Sequence, residues 1–473
     1  MDVAGDVGVR DRCSQDLRVR KQDAQPLRGF RELPPEDFAA KLRVIETSRA
    51  LFKLYGYEEM EIPTVEPAAL IELKSGEEIR HRMFRFRDLG GRDVVLRPEG
   101  TPSVARYVAF KLKGKRMPVR LSYVANMFRY DEPQRGRFRE FTHVGCELFG
   151  SSSLLADVEV LDITLTLLSE LGFSDFTVKI GHQGVIRAVL DKFGITGVRQ
   201  DAVLGMIDRG ERQKLAKSLG RRGSELNLLM KDLAETKGRD TELIFSRARD
   251  LVSDIPQALK RLEELRELVD FANEVANGRI MIDLGFARGI EYYTGMIFEV
   301  SVKGLNLAVA GGGRYDGLCS LLGAEVPAVG MALGVDRLVM GEEFGRVDKV
   351  SPYATVVILD PGSHRYGLRV LKELRGGGTP VTLDLSTGSL SSRMERVAVR
   401  GFKFAVIVGQ SEAAEGKVTV KDMEKGAQQT TTLGEAKALM QNSLRRTGLA
   451  WPAGDPTSGN GADGERGWEG RRA

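Results

Sequence analysis

Apolar positions recur along this chain with two periods, and the switches between them mark out its organisation. After Pro34-Pro35, residues 36–55 place Leu42, Ile45, Leu51, Phe52, Leu54 and Tyr55 at helical spacing, and Gly56 supplies a stop, so an amphipathic helix is predicted. Residues 59–63 then alternate as a short strand, and Pro63, which has no N–H to give a ladder, favours an edge or an interface. Short β-type runs follow at 94–96, 119–123 and 138–149, separated by turn-rich loops. The clearest hairpin is predicted over 296–309: Phe298, Val300 and Val302 alternate before Lys303-Gly304, and Leu305, Leu307 and Val309 alternate after it. These runs imply a largely antiparallel sheet. By contrast 185–277 reads helical, with apolar rows such as Leu262, Leu265, Val269 and Ala272, and is expected to form an inserted helical module. A last folded unit over 352–446 alternates strand-like runs (354–359, 381–383, 404–408) with helical ones (364–374, 391–400), the pattern of a small α/β domain with parallel strands. Residues 1–25 carry no period and are expected to be a loose leader. The Gly/Pro/Asp-rich tail 447–473 reads as disordered.

At 473 residues the chain is long enough for two to four domains, and 42% hydrophobic with 29% charged residues is ordinary globular usage. Global disorder is excluded. Cys13, Cys146 and Cys319 form no CxxC pair, and His81, His143, His182 and His364 form no metal-ligand array, so no metal site is predicted and a reducing compartment is expected. No run approaches the length of a membrane span, and a soluble, cytoplasmic protein with no membrane partner follows as the expectation. The net charge of +4 is small for the length, but it is unevenly placed. Residues 352–446 hold fourteen Lys/Arg against nine Asp/Glu, an excess of five on the part where a polyanion would dock.

Four polar segments gather charged side chains at strands or strand ends. In Leu96-Arg97-Pro98-Glu99-Gly100-Thr101, a carboxylate and a hydroxyl two residues apart share a side if extended and suit an ammonium group; taken alone, the segment reads more simply as a turn with a solvated glutamate. In 128–141, Arg129, Arg137 and Arg139 have the fork geometry that matches phosphoryl oxygens, and Phe141 can stack on a purine; a salt-bridged hairpin is the plainer alternative. Gly145-Cys146-Glu147 follows directly. In 287–295, Arg288 with Tyr292 and Tyr293 offers a cation and two phenols, or an aromatic pair packed in a core. Last, the glycines of Gly311-Gly312-Gly313-Arg314-Tyr315-Asp316-Gly317 and of Gly330 to Gly334 allow close approach of a ligand to backbone. Arg337 falls in the first turn of a helix, where the dipole already favours anions.

Taken in order, these segments resemble the class II aminoacyl-tRNA synthetases, and among them the histidyl-tRNA synthetase family. The likeness runs from Arg28-Gly29-Phe30-Arg31-Glu32-Leu33-Pro34 to about Arg446. Pro63 fits the proline of the family's first motif, the Arg129 hairpin its second, and Gly334-Val335-Asp336-Arg337 its third. Arg288-Gly289-Ile290-Glu291-Tyr292-Tyr293 and Gly312-Gly313-Arg314-Tyr315-Asp316-Gly317 look like its histidine signatures. The resemblance implies an α+β fold: an antiparallel sheet core flanked by helices over 26–184 and 278–345, interrupted by the helical module, with an α/β anticodon-binding-like domain after it.

It also implies activation of histidine by ATP with Mg²⁺, transfer to tRNA(His), and a homodimer. Carried over residue by residue, Arg129 and Arg288 are catalytic, and Arg129, Asp131, Phe141 and Arg337 hold ATP. Glu99, Thr101, His143, Glu147, Arg288, Tyr292 and Tyr293 bind histidine, and Gly311, Gly312, Gly313, Tyr315 and Gly334 form a glycine-rich wall. Four positions depart from the family pattern: His143 stands for Gln, Asp131 for Glu, Glu291 for Asp, and Glu132 for a basic or polar residue. A different function on the same fold, a histidine-binding regulatory subunit of ATP phosphoribosyltransferase, is the alternative. Such proteins commonly lack the C-terminal domain and lose phosphate-binding arginines.

Overall fold

The computed structural model describes residues 24–73, 79–112, 114–133, 136–219, 224–276, 278–287, 291–305, 307–341 and 353–447. The leader expected over 1–25 and the tail over 447–473 lie almost wholly outside them, as does Arg288. The chain divides into two compact units, Met1–Val347 and Asp348–Ala473.

Twelve strands are described in the first unit: β1 (Glu58–Glu59), β2 (Val65–Pro67), β3 (Phe84–Arg87), β4 (Asp93–Leu96), β5 (Val119–Phe128), β6 (Glu140–Phe149), β7 (Phe176–His182), β8 (Lys237–Gly238), β9 (Ile280–Asp283), β10 (Met296–Val302), β11 (Ala310–Arg314) and β12 (Ala328–Gly334). Nine of them form one sheet in the order β1-β5-β6-β12-β11-β10-β7-β9-β8, and β2-β4-β3 form a small second sheet. The large sheet is antiparallel except at β1/β5 and β7/β9. Its longest pairing is the ten-residue hairpin of β5 and β6, next to the β1 edge, paired from Val119↔Phe149 to Phe128↔Glu140.

Alternation along these strands separates two layers. Val144, Cys146 and Leu148 of β6, with Phe298 and Val300 of β10, face a core completed by the helices Pro35–Leu54, Leu154–Glu170 and Pro256–Ala276. Tyr123, Ala125 and Met127 of β5 belong to the opposite layer, with Val104, Ala105 and Val108 of the helix Thr101–Lys111. Phe141, His143, Gly145 and Glu147 alternate with the first set, so they too lie on this second face.

Three expectations are refined. The strand expected over 59–63 is only Glu58–Glu59, at the sheet edge and parallel to β5. The return strand of the 296–309 hairpin is not Leu305 to Val309. It is the glycine run itself, with Val300↔Ala310 and Ile297↔Gly313 in register. The reason lies in what opposes it: a Cβ at Gly312 would clash with the Gly330 carbonyl and lie 2.8 Å from the Phe298 ring, so glycine is the residue that lets β10, β11 and β12 close up. The helical stretch at 185–277 holds the helices Gly197–Asp208, Arg212–Leu219, Ser224–Glu235 and Thr241–Leu251, but it does not carry a core of its own. Leu262, Leu265, Val269 and Ala272 share one apolar cluster with the sheet, and Lys237–Gly238 adds strand β8 to it.

The second unit is a five-stranded sheet, β13 (Ala354–Ile358), β14 (Val381–Leu383), β15 (Phe404–Val408), β16 (Lys417–Asp422) and β17 (Gln428–Thr432), ordered β14-β13-β15-β16-β17. The three strands legible from their apolar runs are parallel to one another, and β16 and β17 add an antiparallel hairpin. Lys, Thr and Gln dominate that hairpin, which is why apolar periodicity does not reveal it. The helices His364–Gly376 and Leu433–Thr447 cover one face through Val370, Leu374, Ala436 and Met440, and Leu390–Val399 covers the other through Val397.

Candidate active site

The cleft of the first unit opens on the second face of the large sheet, between the β5/β6 hairpin, β11, β12 and the start of the helix Thr101–Lys111. Glu99, Thr101, Arg129, Phe141, His143, Glu147, Tyr292, Tyr293, Gly311, Tyr315, Gly334 and Arg337 all line it. Residues nearly two hundred positions apart in sequence are thus brought together by strand register: Glu147 faces Gly330, and His143 faces Gly334, across β6 and β12.

At its inner end the cleft is acidic and phenolic. Glu147, 1% exposed, accepts hydrogen bonds from the Thr101 hydroxyl (2.7 Å) and from the Tyr315 hydroxyl. Tyr292 donates to Glu99 at 3.0 Å, and its ring stands 5.0 Å from that of Tyr293. Burial without a cation raises the Glu147 carboxyl to about 7, the two hydroxyl donors opposing the shift and the neighbouring Glu99 adding to it. The same burial raises Tyr292 and Tyr315, with the acidic neighbours reinforcing it, so both phenols remain protonated donors at neutral pH.

The outer end is cationic. Arg129 donates through Nε to the Pro98 carbonyl (2.8 Å), and its guanidinium carbon lies 5.4 Å from the centre of the Phe141 ring. Arg337 donates to the carbonyl of Ala308 at 2.5 Å. Between these arginines sits His143, edge-on to Phe141 with 5.0 Å between ring centroids. Burial, then Arg129 and Arg337, push His143 well below the usual histidine range, so it is a neutral imidazole that does not oppose an ammonium group.

Some expected site residues have other partners. Thr101 spends its hydroxyl on Glu147, and the Asp131 carboxylate pairs with Arg82 at 3.0 Å in a smaller recess that adjoins the cleft. Gly312 and Gly313 do not line the cleft, a correction to the wall expected from the glycine run. Gly312 faces the opposite layer beside Met331 and Phe298, and Gly313 is closed off by the Met296 carbonyl and Ile297.

Other contributors were given no role from sequence, although Arg31 and Asp336 fall within segments that carry the family resemblance. Tyr123 forms the floor, wedged between Gly100 and Gly145, where a Cβ on either would strike its ring. Asp336, 3% exposed, accepts the Thr142 N–H (2.6 Å) and pairs with Arg31 and, at 3.7 Å, with Lys41, which ties Arg31 and the helix Pro35–Leu54 to the cleft wall. Arg31 also lies 3.6 Å from the Phe138 ring centre. Only the strand register that opposes Tyr123 to Gly145 could have indicated the first of these, and no local pattern in the sequence carries it.

Among the described residues no group of three or more His, Cys, Asp or Glu is placed to hold a metal ion. None of the described helices is long and apolar enough to cross a membrane.

The architecture and cleft have relatives. The sequence profile described as Histidyl-tRNA synthetase matches residues 29–338, and that of an anticodon binding domain matches 354–443. A protein of Methanocaldococcus jannaschii named Histidine--tRNA ligase is 38% identical over 413 residues, 87% of this chain and 98% of its own. One of Sulfurisphaera tokodaii with the same name is 35% identical over 86% of this chain and 96% of its own. In fold, the chain resembles the crystal structure of histidyl-tRNA synthetase from Nostoc sp. PCC 7120, with a TM-score of 0.69, 22% identity and coverage of 89% of this chain and 99% of that one. The sheet and its cleft are thus those of an aminoacyl-tRNA synthetase, and within that class the chain belongs to the histidyl-tRNA synthetase family.

Proposed function

We propose that this chain is a histidine--tRNA ligase, activating histidine with ATP to histidyl-adenylate and passing the histidyl group to tRNA(His). The observation that carries the reading is the polarity of one cleft: buried carboxylates and phenols at one end, two arginines at the other. Histidine offers an imidazole and an ammonium to the first end and a carboxylate to the second, where ATP must also lie. In the first step a carboxylate oxygen of histidine attacks the α-phosphorus and the bond to pyrophosphate breaks; in the second a ribose hydroxyl of the tRNA terminus attacks the acyl carbon and AMP leaves. Two anions meet in the first step, so fixed cations at the reacting centre lower its barrier.

In this reading Glu147 and Tyr293 bind the two imidazole nitrogens, and Glu99 receives the α-ammonium with Tyr292 and Thr101 fixing the carboxylates around it. Arg129 neutralises the α-phosphate and Arg337 the distal phosphates. Phe141 stacks on adenine and Asp131 lies at its edge. Arg288, outside the described residues, is assigned from the family resemblance to bridge the substrate carboxylate and the α-phosphate. Mg²⁺ arrives as part of the ATP substrate, since that ion is commonly held by phosphate oxygens and water with few protein carboxylates. A homodimer is supported by the exposed Phe38 and Leu42 on the helix Pro35–Leu54 and by the edge position of β1.

The regulatory alternative has a relative too: a Bacillus halodurans C structure described as an ATP phosphoribosyltransferase regulatory subunit/histidyl-tRNA synthetase matches with TM-score 0.66 and 25% identity, covering 80% of this chain and 96% of that one. Retention of Arg129 and Arg337 in the cleft, and of the unit matched by the anticodon-binding profile, favours the ligase. Purified protein is expected to catalyse histidine-dependent exchange between ATP and pyrophosphate, and Arg129→Ala to lower its rate about 100-fold. Absence of exchange, with stimulation of a phosphoribosyltransferase instead, overturns the proposal.

A further inference from the structure

Glu291 immediately precedes the two tyrosines of the cleft and is gripped from outside it at two points. Its backbone carbonyl accepts a hydrogen bond from the Arg187 guanidinium (3.3 Å), and its carboxylate pairs with Arg80 at 3.1 Å. Arg187 lies on the helix Gln183–Lys192, away from the cleft lining, and is itself fixed before it reaches Glu291. It donates to Gln200 Oε1 at 2.7 Å and pairs with Asp201 at 2.9 Å, both in the helix Gly197–Asp208. Gln200 is held in place, because the two hydrogens of its amide nitrogen are shared among the Arg187 carbonyl (3.0 Å), Asp191 (3.0 Å) and the Ile195 carbonyl (3.2 Å). The planar guanidinium therefore acts as a rigid bracket, a role that an ammonium on a flexible stem fills less well.

We propose that Arg187 is a positioning residue for histidine: through the Glu291 carbonyl it fixes, from the helical stretch, the placement of Tyr292 and Tyr293 against Glu99. The inference rests on reading the acidic end of the cleft as the histidine pocket. Of the two grips Arg187 is the stronger, since the Arg80–Glu291 pair is the more exposed to solvent screening, with the Arg80 side chain 38% exposed. The consequence is selective. Loosening Glu291 disturbs the end of the cleft that holds the tyrosines and leaves Arg129, Phe141 and Arg337, carried by other strands and helices, in place.

Full-length Arg187→Met and Arg187→Lys proteins, compared with wild type in ATP–pyrophosphate exchange with histidine and ATP varied separately, test this. Arg187→Met is expected to raise the KM for histidine about tenfold, the loss of one hydrogen bond from a charged donor, with the KM for ATP changed less than about twofold. Arg187→Lys, which keeps the charge beside Asp201, is expected to recover part of the loss. An unchanged histidine KM overturns the inference, and so does a parallel rise in both KM values with a lowered melting temperature, the mark of general loosening. If wild type itself showed no histidine-dependent exchange, the reading of the cleft would fall and this inference with it, a result distinct from failure confined to the variants.

Discussion

Glu147 carries its charge at a cost that its two hydroxyl donors offset only in part. A carboxyl that titrates near 4.5 in an exposed chain and at about 7 in the folded cleft binds more protons folded than unfolded throughout the interval between. Its contribution is therefore most favourable below about pH 4.5 and is lost as pH rises through 7, by about 3 kcal/mol for a shift of this size. Replacing it by the neutral Glu147→Gln should remove that loss. We expect the stability of the variant relative to wild type to improve by about that amount between pH 5 and pH 8, read from melting curves of both proteins without histidine. The same difference at both pH values would mean that Glu147 titrates where an exposed glutamate does. His143 obeys the opposite sign: burial, then the two arginines, push it well below the usual histidine range, so at neutral pH a His in place of Gln leaves the charge balance of the cleft unaltered.

At the scale of strands, the cleft depends on what glycine omits. Gly330 of β12 faces Glu147 of β6, and a Cβ there would fall on the carboxylate and lie 2.8 Å from the Cys146 carbonyl. The backbone oxygen cannot move without breaking the β6/β12 ladder, so the side chain must give way. Gly330→Ala is expected to lower histidine-dependent exchange at least tenfold, whereas Gly317→Ala, whose Cβ would meet nothing nearer than Thr294 at 3.8 Å, should stay within about twofold of wild type. Equal rates for the two variants would refute the steric account.

These glycines also show where the sequence is readable. Their clustering in 311–317 and 330–334 points to a site, but which of them touch ligand and which let strands close up is decided by register. Gly311 and Gly312 are neighbours in sequence and lie on opposite faces of the sheet. The β5/β6 hairpin is legible in part: the apolar runs at 119–123 and 138–149 mark its two strands, but β5 continues to Phe128, beyond the run that marks it. The roles of Tyr123, Arg31 and Asp336 are not legible, because each residue acts through a partner far away in the chain: Gly145, Asp336 and Thr142 respectively.

For the whole molecule, the two units are stabilised separately. The first is built around the two apolar layers of its large sheet, and the second around clusters drawn entirely from residues 353–444. Every described residue of the cleft belongs to the first unit, and residues 352–446 of the second carry the excess of five positive charges and the match to an anticodon binding domain. If the cleft is the site of chemistry on histidine and ATP, as proposed, that chemistry calls on the first unit alone, and the second is where a tRNA, whose affinity for protein is dominated by phosphate charge, is expected to gain most. A protein ending at Val347 should keep histidine-dependent pyrophosphate exchange within about threefold of the full chain and lose tRNA charging by about 100-fold, with the loss in the KM for tRNA. The deficit should narrow as salt is raised, because the contacts removed are those that salt already weakens in the full chain. Exchange and charging falling together would place part of the adenylate-forming machinery, or of the first unit's stability, in residues 348–473.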